Sequence, residues 1–303
     1  MKDLFNTTEF KYLKTILKRN NSFYYSKENF IVFVCGASVK IDNKINARKR
    51  FLEYAEKHLK EYDFFIAEDF LFTDDTLSDL LSLEAKMTSY SDCIMIFLES
   101  YSAGAELGAF SIQDDLAKQL LVINDIEHKN NSSFIEKGPL AKIDKNSKFA
   151  PVIYCKLNMV LESIPQIKKA LEKNHGSQNK GVKISDIDSF KTLSPKRRLL
   201  FLLDLITIFS PLTKMELVAL LKELFGDGYY EIDDEINMLL TMKYIVFSGK
   251  YIIKIKNRIR TYFIYGKSLF VRDFRSKIIG YYHRERKDRW KEYLKYIGTI
   301  NAY

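Results

Sequence analysis

Five short apolar runs punctuate the first 175 residues: 29–35 (NFIVFVC), 62–67 (YDFFIA), 93–98 (CIMIFL), 119–125 (QLLVIND) and 150–156 (APVIYCK). Each is continuous rather than alternating, the pattern of a strand buried on both faces of a parallel sheet. The stretches between them carry helical spacing. Residues 45–60 put Phe51, Tyr54, Ala55, His58 and Leu59 on one face, which predicts a helix with His58 as a structural residue. Residues 76–90 do the same with Leu77, Leu80, Leu81, Ala85 and Met87, and a closing helix is predicted over 164–173. Residues 126–148, rich in Asn, Lys and Ser, have neither period and read as a long loop or lid. Strand alternating with helix predicts an α/β fold, an open parallel sheet with helices on both faces.

The pattern changes after residue 175. A polar stretch leads to three predicted helices, 195–209, 213–225 and 232–243, the second with Thr213 and Glu216 spaced as a capping box. Residues 244–255 (YIVFSGKYIIKI) then read as a hairpin turning at Ser248, Gly249 and Lys250. Three helices and a hairpin predict a winged helix-turn-helix. Its third helix opens with Glu231, Asp233, Asp234 and Glu235, which repel phosphates, so reading of base sequence by that helix is not expected. The expected organisation is an N-terminal helical extension (1–28), a catalytic α/β domain (29–175), a linker (176–194), the winged helix (195–257) and a basic aromatic tail (258–303).

Charge sharpens the second half. The net charge is +9 over 303 residues, and from Lys243 onward Lys and Arg outnumber Asp and Glu about four to one. Lys250, Lys254, Lys256, Arg258, Arg260, Arg272 and Arg275 alternate with aromatic residues, a composition suited to a nucleic-acid backbone; a solvated helix with an aromatic core face is the other reading. Cys35, Cys93 and Cys155 sit in or beside apolar runs without metal-ligand spacing, and the four histidines are scattered. No metal and no membrane segment is expected, and reduced core cysteines point to a cytoplasmic protein.

The chemistry concentrates at the ends of the predicted strands, where open α/β folds bind ligands. Gly36, Ala37 and Ser38 follow the first run, Glu68 and Asp69 the second, and Ser102, Ala103 and Gly104 the third, ahead of a helix carrying Glu106. Small residues let a ligand approach the backbone, and Glu84 lies among apolar neighbours. At a helix start Glu106 is expected to be held as an anion, suited either to capping or to stabilising an oxocarbenium-like centre.

The segment 91–110, SDCIMIFLESYSAGAELGAF, resembles the signature of nucleoside 2-deoxyribosyltransferases and related N-glycosidases, with Asp92, Gly104, Glu106, Leu107 and Gly108 matching. That resemblance spans about residues 29–175 and implies a deoxyribosyltransferase- or flavodoxin-like sheet, Glu106 as nucleophile and Glu84 as a base-contacting carboxylate. Gly36, Ser38, Asp69, Asp92, Ser102 and Gly104 are the expected substrate contacts. Where the family carries an acid six positions before its nucleophile this chain has Ser100, which turns the expectation toward a leaving group that departs neutral. The whole layout is similar to effectors of retron antiphage systems. It implies an abortive-infection toxin held by a reverse transcriptase and its RNA-linked single-stranded DNA, with NAD as substrate rather than cofactor, cut at the nicotinamide–ribose bond. A homo-oligomer is also implied, since such enzymes commonly complete their sites with a neighbouring subunit. Two alternatives remain. One is a nucleoside, nucleotide or DNA N-glycosidase or deoxyribosyltransferase drawing an acid from Glu84, Glu99 or Asp69; the other is a non-enzymatic DNA-binding regulator.

Overall fold

A computed structural model describes residues 2–19, 23–25, 30–38, 46–70, 80–130, 132–174, 183–255, 261–266 and 269–300. The chain forms two compact units, one of residues 27–178 and one assembled from 1–26 with 179–303. Helices of nine residues or more are numbered. Helix α1 (Thr8–Lys18) and strand β1 (Phe23–Tyr25) open the chain and belong to the second unit.

The first unit runs β2 (Phe30–Cys35), α2 (Ala47–His58), β3 (Tyr62–Phe65), α3 (Leu80–Thr88), β4 (Cys93–Phe97), α4 (Tyr101–Ile112), β5 (Leu120–Asp125), β6 (Ile153–Cys155) and α5 (Ile164–Asn174). Its five strands are parallel in the order β3-β2-β4-β5-β6. Every residue of β2 and β4 is buried, which is why their apolar runs do not alternate. The strand order reverses between β2 and β4. Ligands of doubly wound sheets bind at the carboxyl ends of the strands beside such a reversal. The pairing Cys35↔Ile96 sets the two strand ends level there.

Three expectations need correction in this unit. The stretch 126–148 is largely folded: Glu136–Leu140 forms a π-turn with Pro139 inside it, Ala141–Asn146 is helical, and Leu140 and Ile143 are buried. His58 is exposed and rests against Tyr54 rather than in the apolar face. Asp92 lies at the entry end of β4, away from the strand ends that carry ligands. Its N–H donates to Ile31 O at 2.8 Å and its carboxylate accepts the Ile31 N–H at 2.8 Å, so it stitches β2 to β4.

The second unit is built around α6 (Pro195–Phe209), whose residues from Leu199 to Phe209 are all buried. Helix α7 (Lys214–Phe225) begins in a complete Thr213/Glu216 capping box, and α8 (Asp233–Thr241) leads into the hairpin of β7 (Ile245–Ser248) and β8 (Tyr251–Lys254). Gly249, at φ +55°, supplies the left-handed turn residue. Leu212 bridges Ile252, adding a third short segment beside the hairpin. Strand β9 (Phe263–Tyr265) pairs antiparallel with β1. The expected linker is partly structured: Ile187–Lys191 is a capped helical turn, and Phe190 is buried against Phe225.

Helices α9 (Phe270–Glu285) and α10 (Lys287–Ile300) complete the unit. Two of their cations are core residues. Arg275 is buried and donates to the Ile208 and Ser210 carbonyls. Arg289, 1% exposed, pairs with Glu216 and donates to Pro211 O. Asp204 on α6 is buried as well, accepting from Tyr262 N at 2.7 Å, Phe263 N at 3.0 Å and Tyr265 Oη at 2.9 Å. No helix among the described residues is long and apolar enough to cross a membrane.

Candidate active site

At the carboxyl ends of β2 and β4 the chain assembles a small group of ionisable side chains: Cys35, Arg48, Glu68, Glu84 and Glu106. Helix α2 delivers Arg48, which is 2% exposed. Its guanidinium donates to Val34 O at 3.4 Å and forms an ion pair with Glu68, which follows β3. Gly36 makes room for this. It sits at φ +154°, and a Cβ there would meet Arg48 Cδ at 3.1 Å and Phe97 Cβ at 3.2 Å.

The loop after β2 is tied to α2 by Asn46, whose side-chain amide donates to Ser38 O at 3.0 Å while its oxygen caps Lys49 N at 2.8 Å. Glu99 completes the start of α2, accepting from Ala47 N at 2.7 Å and Arg48 N at 3.1 Å. A carboxylate so occupied at a helix N-terminus is a cap, which removes Glu99 from the candidate acids.

Glu106 is the sixth residue of α4, behind the Ser100 N-cap. It is therefore more than one turn from the helix start, and dipole stabilisation fades within the first turn. Burial dominates instead. It pushes the Glu106 carboxyl up to about 8, with the charge of Glu84 adding to the rise and Arg48 opposing it. Glu84, half-buried on α3, is pushed up to about 7 by burial and by the charge of Glu68. The Cys35 thiol hydrogen-bonds the Glu106 carboxyl, and burial and both glutamates hold that thiol well above its usual range. Glu106 Oε2 is buried and makes no hydrogen bond. An expected anion at a helix tip is thus a buried carboxyl whose ionisation is opposed first by burial and then by the charge of Glu84.

Beside α4 an open cleft of about 1020 Å³ runs past Ser100, Tyr101 and Gly104 toward Asn124 and Glu136. A Cβ on Gly104 would meet nothing within 4 Å, so this position faces open space. Ser102 is exposed, its hydroxyl 2.9 Å from that of Ser100. The side chain of Asp69 lies outside the described residues. Arg48 escaped prediction as a site residue, since a single Arg on a polar helix carries no spacing signal; Glu68 was expected beside Asp69 at the end of the second strand. No group of three or more His, Cys, Asp or Glu among the described residues could hold a metal ion.

The model of a family described as the STM3845 retron effector protein matches residues 44–254, most of the sheet unit and about half of the helical one. The chain belongs to this family. It is also similar to two Escherichia coli proteins, each named as a candidate ribosyltransferase/DNA-binding protein, of retrons Ec73 and Ec86. The first is 30% identical over 217 residues, 66% of this chain and 68% of the relative. The second is 36% identical over 137 residues, 43% of this chain and 42% of the relative, so the chain spans less than half the length of that protein. The matched region of this retron effector includes Arg48, Glu84 and Glu106.

The expected nucleic-acid contacts of the retron effector divide. Lys250 is exposed at the hairpin tip over the Tyr251 ring, Arg272 is exposed on α9, and Lys254 is half-buried in β8. Arg275 faces inward on main-chain carbonyls and cannot reach a phosphate. Lys256, Arg258 and Arg260 lie outside the described residues. In the acidic opening of α8, Asp233 pairs with Lys214, and Glu235 is buried against Arg198 at 3.0 Å.

Proposed function

We propose that this retron effector is an N-glycosidase that cleaves the nicotinamide–ribose bond of NAD, with Glu106 serving the anomeric carbon. The reading is carried by one observation: a buried Glu106 oxygen without a hydrogen-bond partner at the strand-order reversal of the sheet. In the reaction the C1′–N bond breaks and its electron pair stays on the pyridine nitrogen, so nicotinamide departs neutral. Ionised Glu106 stabilises the ribosyl cation or bonds to C1′, and water then adds there and gives up its proton, leaving ADP-ribose. A pyridinium beside Glu106 favours the ionised carboxylate, so substrate itself draws Glu106 toward the anion.

Glu84 supports a second reading. Its raised carboxyl can stay protonated near neutrality and supply the acid that Ser100 does not, which suits a purine or pyrimidine leaving group of a nucleoside or nucleotide. The second unit, with three helices, a hairpin and the Leu212–Ile252 bridge, is read as a winged helix. Together with the exposed Lys250 and Arg272 it would hold RNA-linked single-stranded DNA beside a reverse transcriptase.

Chromatography of NAD, nucleosides and nucleotides after incubation with the effector, alone and with its retron partners, tests both readings. Nicotinamide release lost in Glu106→Gln supports the first. Release of a purine or pyrimidine instead supports the second, and equal activity of Glu106→Gln overturns both. The pH profile separates them further. With NAD, kcat/KM rises as Glu106 ionises toward pH 8 and then levels. A base that needs Glu84 as an acid gives a bell.

A further inference from the structure

The cleft beside α4 contains a carboxylate that the proposed chemistry does not use. Of the acids on its wall, Glu99 and Asp125 are fixed by main-chain N–H groups, Glu99 by those that open α2 and Asp125 by Glu127 N at 3.0 Å and Leu157 N at 3.3 Å, and Glu127 is exposed. Glu136 differs, because its partners are side chains. Asn124, 1% exposed, donates its amide to Glu136 Oε1 at 3.2 Å, and Tyr154 donates its hydroxyl to Oε2 at 2.8 Å. The Asn124 oxygen is itself fixed by the Asp125 N–H at 2.9 Å, so the amide nitrogen is the end that faces Glu136. Lys129 lies over the Tyr154 ring at 5.5 Å.

Each oxygen of a carboxylate accepts two hydrogen bonds. With one side-chain donor to each, Glu136 retains one acceptor position on each oxygen, a bidentate edge on a residue that lines a cleft of about 1020 Å³. Adjacent hydroxyls on one sugar ring are the donor pair that edge matches. The fully exposed Tyr101 ring borders the same cleft and offers a face on which a base can stack.

We infer that the cleft receives a ribonucleoside moiety and that Glu136 is its specificity residue, accepting both hydroxyls of the ribose 2′,3′-diol. This rests on the reading of the effector as a ribosyl-bond enzyme and narrows it: ribosyl compounds fit the cleft, and sugars lacking the hydroxyl pair lose half or all of the contact. A carboxylate edge left without its hydroxyl donors on ligand binding lowers affinity by about an order of magnitude.

The test uses binding rather than turnover. Full-length Glu106→Gln protein is titrated calorimetrically with adenosine and with 2′,3′-dideoxyadenosine. Adenosine is expected to bind at least tenfold tighter. Adding Glu136→Gln, which places an amide nitrogen on the edge, is expected to bring the two within about threefold while the Tm stays within a few degrees. If Glu136→Gln does not fold, Tyr154→Phe, which frees the Glu136 edge to rotate, is expected to lower the adenosine preference severalfold. Equal binding of the two nucleosides, binding of neither, or a preference that survives both substitutions overturns the inference. Base release by the unsubstituted protein is scored separately. Catalysis without a diol preference sinks this inference and leaves the proposed reaction standing; a diol preference without base release does the reverse.

Discussion

Asp204 in the helical unit and Glu106 in the sheet unit are both carboxyls taken out of water, and burial pushes them up to about 7 and about 8. Their surroundings then part company. Asp204 receives two main-chain N–H groups and a tyrosine hydroxyl, so both oxygens are occupied and the residue ties α6 to β9. Glu106 has an acidic neighbour in Glu84, a weakly donating thiol in Cys35 and an oxygen with nothing to accept from. A displaced pKa therefore reports burial in both places. What sets Glu106 apart from Asp204 is the missing donor, since buried carboxyl oxygens without a partner are few in folded proteins.

The comparison is broken most directly by exchanging each acid for its amide. Glu106→Gln is expected to lower base release by about a thousandfold or more, an effect on the chemical step read by single-turnover chromatography, with the fold retained. Asp204→Asn is expected to cost about 3 kcal/mol in urea unfolding, because an amide nitrogen is forced toward main-chain N–H groups, while the chemistry of surviving folded protein is unchanged. If Asp204→Asn silenced the reaction without loss of stability, the distinction between the two acids would be wrong.

A smaller effect sharpens it through pH. With the unfolded carboxyl near its ordinary 4.5 and the native one near 8, native protein holds a proton that unfolded chain has released across that window. Stability from this group is fully present below pH 4.5 and is lost as pH rises toward 8. Glu106→Gln lacks the penalty, so its advantage over the parent grows from pH 4.5 to about 8, reaching about 2 kcal/mol after solvent screening. Denaturation at pH 5 and pH 8 measures it. Smallest is the surface contribution: Lys250→Ala with Arg272→Ala is expected to weaken single-stranded DNA binding a fewfold and to flatten its salt dependence, whereas altering the inward Arg275 should act through stability.

Much of the sheet could be read from the chain, because a strand buried on both faces leaves a continuous apolar run that survives without knowledge of its neighbours. The Thr213/Glu216 capping box was equally legible, being a local pattern at fixed spacing. Glu106 stood out by the small residues ahead of it. Its electrostatic state did not, since that depends first on burial and then on Glu84 and Arg48, which come from two other helices. Glu99, a candidate acid, and Asp92, an expected substrate contact, accept instead from backbone N–H groups of distant segments. The stretch 126–148 hid its turns because a π-turn with an internal proline has no 3.6-residue period. Composition also misled at Arg275 and Arg289, for a count of cations is silent on which of them point inward.

The inward pair changes how the C-terminal end should be handled. Arg289 reaches Glu216, the same glutamate that closes the first turn of α7, and also lies against the rings of Tyr251 and Tyr282. Tyr251 and Ser248 of the hairpin are held in turn by Asp288 and Glu292 of α10. Trimming this helix to obtain a tidier, less basic sample would leave an acid stranded beneath α7 and unfasten the hairpin from its support. An affinity tag belongs away from this helix, and weak nucleic-acid binding by a shortened protein would be testimony to a dismantled core before it said anything about lost charge.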